Sequence, residues 1–77
     1  MTVRERIIQF YRERENKAAS FYTLMRLASL AALDKAVRGM LARGELVEVK
    51  MSGAVYIKLR EDFYERVGGA VQSGAAL

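Results

Sequence analysis

The stretch Leu27-Ala28-Ser29-Leu30-Ala31-Ala32-Leu33-Asp34-Lys35-Ala36-Val37-Arg38-Gly39-Met40-Leu41-Ala42-Arg43-Gly44-Glu45-Leu46 decides the fold of this chain. The hydrophobic period changes at its end. Up to Leu41, the apolar residues Leu30, Leu33, Val37, Met40 and Leu41 recur at helical spacing, with Asp34, Lys35, Arg38 and Ala42 on the outward side. Ser29 is a suitable N-cap, because its hydroxyl can accept from an otherwise unpaired amide of the first turn. Arg43 in the last turn and Gly44 just beyond it form a helix stop. Ala36 is small enough for a close helix crossing. Gly39 costs about 1 kcal/mol relative to Ala inside a helix, which a close packing contact would explain. From Leu46 the period is two. Leu46-Val47-Glu48-Val49-Lys50-Met51 and Ala54-Val55-Tyr56-Ile57-Lys58-Leu59 read as strands, and Ser52-Gly53 between them reads as a tight turn. In this hairpin Val55, Ile57 and Leu59 share one face, and Tyr56 and Lys58 share the other.

Working outward, Thr2-Val3-Arg4-Glu5 is a capping box. It opens a helix from Val3 to Arg14, with Val3, Ile7, Phe10 and Tyr11 on one side. Asn16 tolerates a left-handed backbone and is the expected stop. Lys17-Ala18-Ala19 is loop or a minimal strand. Ser20 caps a short second helix from Phe21 to Leu27. Phe63, Tyr64 and Val67 place a fourth helix between Arg60 and Val67. The expected organisation is one domain over residues 1–67 and a flexible tail over 68–77. The expected core contains Ile7, Leu24, Leu33, Val37, Leu41, Val49 and Ile57. Met25, Met40 and Met51 are expected to fill irregular gaps in it. Tyr22 and Tyr56 are read as half-buried packing residues, and Tyr11 and Phe63 as core or interface.

The chain has 77 residues, of which 52% are hydrophobic and 29% charged, a balance that suits one small folded domain. Cys and His are both absent, which excludes disulfides, thiolate chemistry, a zinc site of the usual ligands and the commonest general base. Glu45, Glu48, Glu61 and Asp62 could pair for acid–base work only in a pocket that nothing in the pattern implies. The expectation is a non-enzyme without cofactor or metal. The uncharged run Leu27 to Leu33 is broken by neighbouring charges and is too short to span a bilayer. Residues 1 to 15 alternate charged and apolar types, unlike a signal peptide, so a cytoplasmic location is expected. The net charge is +4, and residues 16–60 alone carry +5. A basic centre points to a polyanion partner, although Lys35 and Arg38 also fit a merely solvated helix face.

The order helix, short helix, sharp turn, longer helix, hairpin resembles the winged helix-turn-helix superfamily over about residues 3–60. Within it, the chain is most similar to the small winged-helix domains of plasmid and phage regulators and of abortive-infection antitoxins. Gly53-Ala54-Val55-Tyr56 is compatible with the Gly-x-x-Tyr return of their wing. The resemblance implies an α+β fold of three helices, a two-stranded wing and a short C-terminal helix. It also implies binding of double-stranded DNA by a transcriptional or replication regulator, with the third helix (29–43) in the major groove and the wing (46–59) on the backbone. The footprint would comprise Arg26, Ser29, Lys35, Arg38, Lys50 and Lys58. Leu30-Ala31-Ala32 at the helix start can touch a thymine methyl but specifies little, so these cations would mainly contact phosphate. A homodimer would pair through helix 1 (the Tyr11 face) and the C-terminal Phe63, Tyr64 and Val67. The alternative is a protein-interaction adaptor of the same fold, with Leu30-Ala31-Ala32 as its contact patch.

Overall fold

The computed structural model describes residues 1–68. Beyond Gly68, the tail expected over 68–77 lies outside the described residues. Helix α1 spans Val3–Glu13 and starts at the expected capping box. The Glu5 amide donates to Thr2 Oγ1 at 3.1 Å, and the Thr2 amide donates to Glu5 Oε1 at 2.7 Å. Its end is sharper than a frayed stop. Glu15 and Asn16 both take left-handed backbone, with φ of 56° and 57°. This lets the Asn16 amide reach back to the Tyr11 carbonyl at 2.7 Å and the Glu15 amide to that of Arg12 at 3.5 Å. These two bonds satisfy carbonyls that the helix end would otherwise orphan.

The connector then forms one antiparallel bridge, Ala19 to Ile57, with both backbone bonds made at 2.7–2.8 Å. Ser20 caps helix α2, Phe21–Leu24, through the Thr23 amide. The expected helix to Leu27 is split: Met25–Leu27 is a 3-10 turn, followed by extended Ala28 with φ −167°. Tightening the last turn and then extending one residue reverses the chain without Gly or Pro. Helix α3 spans Leu30–Ala42, with Ser29 as its N-cap. It ends as α1 does, with Gly44 at φ +76° and the Glu45 amide on the Met40 carbonyl at 2.8 Å. Strands β1, Leu46–Met51, and β2, Ala54–Leu59, pair antiparallel in the register Leu46 to Leu59 through Met51 to Ala54. Ser52 and Gly53 have φ of 51° and 79°, the positive pair that a type I′ turn needs. Helix α4 covers Glu61–Arg66, and Arg60 serves as its N-cap residue. The described chain is thus an α+β domain of helices and one two-stranded antiparallel hairpin. Among the described residues, no helix is long and apolar enough to cross a membrane.

One core joins all these elements. It contains Ile7, Phe10, Tyr11, Ala19, Leu24, Leu33, Val37, Met40, Leu46, Ile57, Leu59 and Phe63. Leu41 and Val49, expected inside, are only half-buried. On α3 the buried line is Leu33, Val37 and Met40, which leaves Leu41 on its shoulder and Leu30 58% exposed. Met25 and Met51 are exposed and fill no gap, whereas Met40 is fully enclosed. Tyr22 is 81% exposed rather than half-buried, because the short α2 turns only Leu24 fully inward. Gly39 does not mark a helix crossing: a Cβ there would meet the Arg43 guanidinium at 3.1 Å, the movable end of a side chain.

The free edge of β2 is closed by polar groups from α1 and the α1–α2 connector. The Ile57 carbonyl accepts from the Ala19 amide at 2.8 Å and from the Tyr11 hydroxyl at 2.6 Å. Asn16, buried at 6% exposure, accepts the Leu59 amide on Oδ1 and donates from Nδ2 to the Leu59 carbonyl, both at 2.9 Å. Burial pushes the Tyr11 phenol far above its ordinary pKa of 10, so it stays a donor at any physiological pH.

Candidate nucleic-acid interface

Helix α3 presents Ala31, Lys35, Arg38 and Ala42 to solvent, a stripe at helical spacing opposite Leu33, Val37 and Met40. Lys35 stands at the rim of an open groove between α1 and α3, with Val3, Arg4, Ala32, Ala36 and Arg43 around it. Arg38 is exposed and donates from Nε to Asp34 Oδ2 at 2.9 Å. An exposed i, i+4 pair of this kind is worth only about 0.3–0.5 kcal/mol, so a phosphate can compete for the guanidinium. Ser29 sits at the start of α3 with its hydroxyl engaged as a cap by the Ala32 amide at 3.3 Å. Arg26 closes the 3-10 turn with its guanidinium 5.8 Å from the Phe10 ring centre, beside exposed Tyr22 and Met25.

The hairpin does not bring its two lysines together. The register sets Lys50 opposite Val55 and Lys58 opposite Val47, so the lysines project from opposite faces. Lys50 is exposed and makes no ion pair among the described residues. Lys58 is half-buried and lies 3.4 Å from Glu61 Oε2. The structure therefore groups Lys35 and Arg38 on one helix, sets Ser29 at its start and Arg26 in the turn before it, and leaves Lys58 on the far face of the hairpin.

An ion cluster that the sequence did not single out lies beside this groove, between the start of α1 and the end of α3. Glu45 takes a two-pronged contact from Arg4, at 3.0 and 3.1 Å, and a third bond from Arg43 at 3.2 Å. Arg4 and then Arg43 hold the Glu45 carboxyl below its ordinary pKa of 4.5. A lowered folded-state value means that the carboxylate contributes stability above the unfolded value and loses it as pH falls. Glu45→Gln is thus expected to cost up to about 1 kcal/mol at neutral pH. Its deficit relative to the parent should close as the pH falls below the ordinary carboxylate value and through the lowered folded-state one, in urea melts taken across a descending pH series. A constant deficit would detach the cluster from stability. The i, i+41 separation of Arg4 and Glu45 explains why no local motif announced it.

Among the described residues, no group of three or more His, Cys, Asp or Glu side chains is placed to hold a metal ion. Tyr11 is fully enclosed and Phe63 is 6% exposed, so neither offers much area to a partner; Tyr64 and Val67 pack partly against the same core. No family model, curated protein or solved structure matches this chain.

Proposed function

We propose that this chain is a small winged helix-turn-helix module that binds double-stranded DNA, as a transcriptional or replication regulator does. In this reading α3 enters the major groove and the hairpin is the wing. The observation that carries it is the solvent face of α3. A helix held by a three-residue buried line presents Lys35 and Arg38 outward, directly after a capped turn and directly before a hairpin. The Ala19 bridge to Ile57 supports the same topology, since it supplies a minimal third strand between the first two helices. Lys35 and Arg38 would lie nearest the duplex, with Arg26 and Ser29 at the flanking phosphates and Lys50 reaching from the wing. Lys58 would contribute least, because it is half-buried and paired with Glu61.

The test is a titration of single charge-reversal variants against one duplex at fixed salt. Lys35→Glu and Arg38→Glu are expected to weaken binding about tenfold or more, because each removes a contact and sets a carboxylate near phosphate. Lys17→Glu is the control, since Lys17 is exposed and its side chain makes no bond among the described residues. It should cost less than about threefold, the effect of net charge alone at physiological screening. Arg12 and Arg14 are poor controls: Arg12 is half-buried, and Arg14 bonds the Lys17 and Ala18 carbonyls and stacks 5.0 Å from the Phe10 ring. Equal losses across the set would reduce the activity to generic polyanion affinity. The adaptor reading would then lead, supported by the exposed apolar side chains of Tyr22, Met25 and Leu30.

A further inference from the structure

The outer edge of β1 carries an address for itself. Ile57 and Leu59 turn their backbone groups away from β1, toward Ala19 and Asn16. In an antiparallel ladder, directly paired residues share that phase. The partners of Ile57 and Leu59 are Glu48 and Leu46, so these two, and Lys50 by alternation, turn their own amides and carbonyls to the open side. None of these groups meets a partner on that side among the described residues. Unpaired strand edges are templates for another strand. The side chains there are Glu48 and Lys50, both exposed, and neither makes an ion pair among the described residues. The opposite face of the hairpin is largely apolar, with half-buried Val47, Val49 and Tyr56, exposed Met51 and Ala54, and Lys58 at its base.

We propose that β1 pairs antiparallel with β1 of a second copy about a two-fold axis at Val49, joining two hairpins into one four-stranded sheet. Backbone phase and charge together select this register. Only residues of the Leu46, Glu48, Lys50 set can exchange edge hydrogen bonds, so the symmetric choices centre on residues 46 to 50. Centring on 46 or 47 sets Lys50 against the partner's Ala42 or Gly44, in α3 and the turn after it, where the backbone is not extended, which leaves 48, 49 and 50. Centring on 48 faces Glu48 with the partner's Glu48, and centring on 50 faces Lys50 with the partner's Lys50. Centring on Val49 faces Glu48 with the partner's Lys50 twice, and it aligns Val47 with the partner's Met51 on the apolar face. Like charges directly opposite destabilise a sheet and opposite charges stabilise it. The isologous pairing closes on itself, which separates a dimer from an open fibre. The proposal does not depend on DNA binding. If both hold, the Lys50 ammonium, with three donors, serves the partner's Glu48 first.

Sedimentation equilibrium of the full chain without DNA, over a series reaching about 1 mM, is the experiment. A reversible dimer is expected. Glu48→Lys and Lys50→Glu each convert both facing pairs to like charges, and each should weaken dimerisation about tenfold or more. The double variant restores opposite charges and should dimerise as the parent does. An equimolar mixture of the two single variants should form a heterodimer that neither forms with itself. Both positions are exposed, and far-UV circular dichroism of each variant verifies the fold. A parent that stays monomeric throughout, single variants that dimerise unchanged, or a double variant as weak as the singles would each overturn the pairing.

Discussion

Asn16→Ala is expected to lower stability by about 3–5 kcal/mol, the largest loss from any single polar substitution in this domain. Two causes add. The first is the orphaning of the Leu59 amide and carbonyl, which Asn16 now pairs at 2.9 Å each. A buried backbone group left unpaired costs about 1–3 kcal/mol. The second is backbone: Asn16 sits at φ 57°, where Ala meets a left-handed penalty of about 1–2 kcal/mol. Asn16→Gly separates the two, because Gly accepts the conformation but makes neither bond. Its loss should be smaller than that of Ala by about the backbone penalty. For a domain of this size a loss of this order is a large fraction of the total stability. Urea unfolding followed by circular dichroism gives all three values. An Asn16→Gly variant as stable as the parent would mean that the edge of β2 is closed by something other than this side chain.

Leu33→Ala should cost about 2–5 kcal/mol, and Leu41→Ala only about 1–2 kcal/mol, in the same measurement. By sequence pattern the two are equivalent members of one helical stripe. In the fold Leu33 has no exposed surface, whereas Leu41 is half-buried at the shoulder of α3. Truncating Leu33 leaves a cavity inside the core that joins the helices to the hairpin. Truncating Leu41 opens a dent that water can fill. The expected ratio therefore tests the rotation of α3 about its own axis, and with it the set of side chains available to a duplex. Equal costs would rotate the helix toward Leu41 and move Lys35 and Arg38 off the centre of its outward face.

What the sequence determined by itself is local. Thr2 and Glu5, Ser20, Ser29, Gly44 and the Ser52-Gly53 turn each act within about five residues, and each forms where its residue type predicts. Caps and turns need only their own neighbours, because hydroxyls, carboxylates and positive-φ residues satisfy nearby backbone groups whatever the rest of the chain does. The strands and the change of period from helix to hairpin were legible for the same reason. For the candidate site, periodicity placed Lys35 and Arg38 outward on one helix, and the structure keeps them there.

Only the tertiary structure decided which flank of each stripe turned inward. Helical spacing defines an apolar arc but not its bisector, so Leu30, Leu41 and Met25 read like core residues and ended at or near the surface, and Tyr22, read as half-buried, is exposed. The polar choices were tertiary as well. Asn16 read as a helix stop, yet its side chain stands in for a missing strand segment against Leu59, 43 residues away. Arg4 and Arg43 converge on Glu45, and Lys58 turns to Glu61, away from the face that holds Lys50. Charged and amide side chains take their partners from whatever the packed elements bring within about 3 Å, and that proximity is a property of the assembled fold rather than of spacing along the chain.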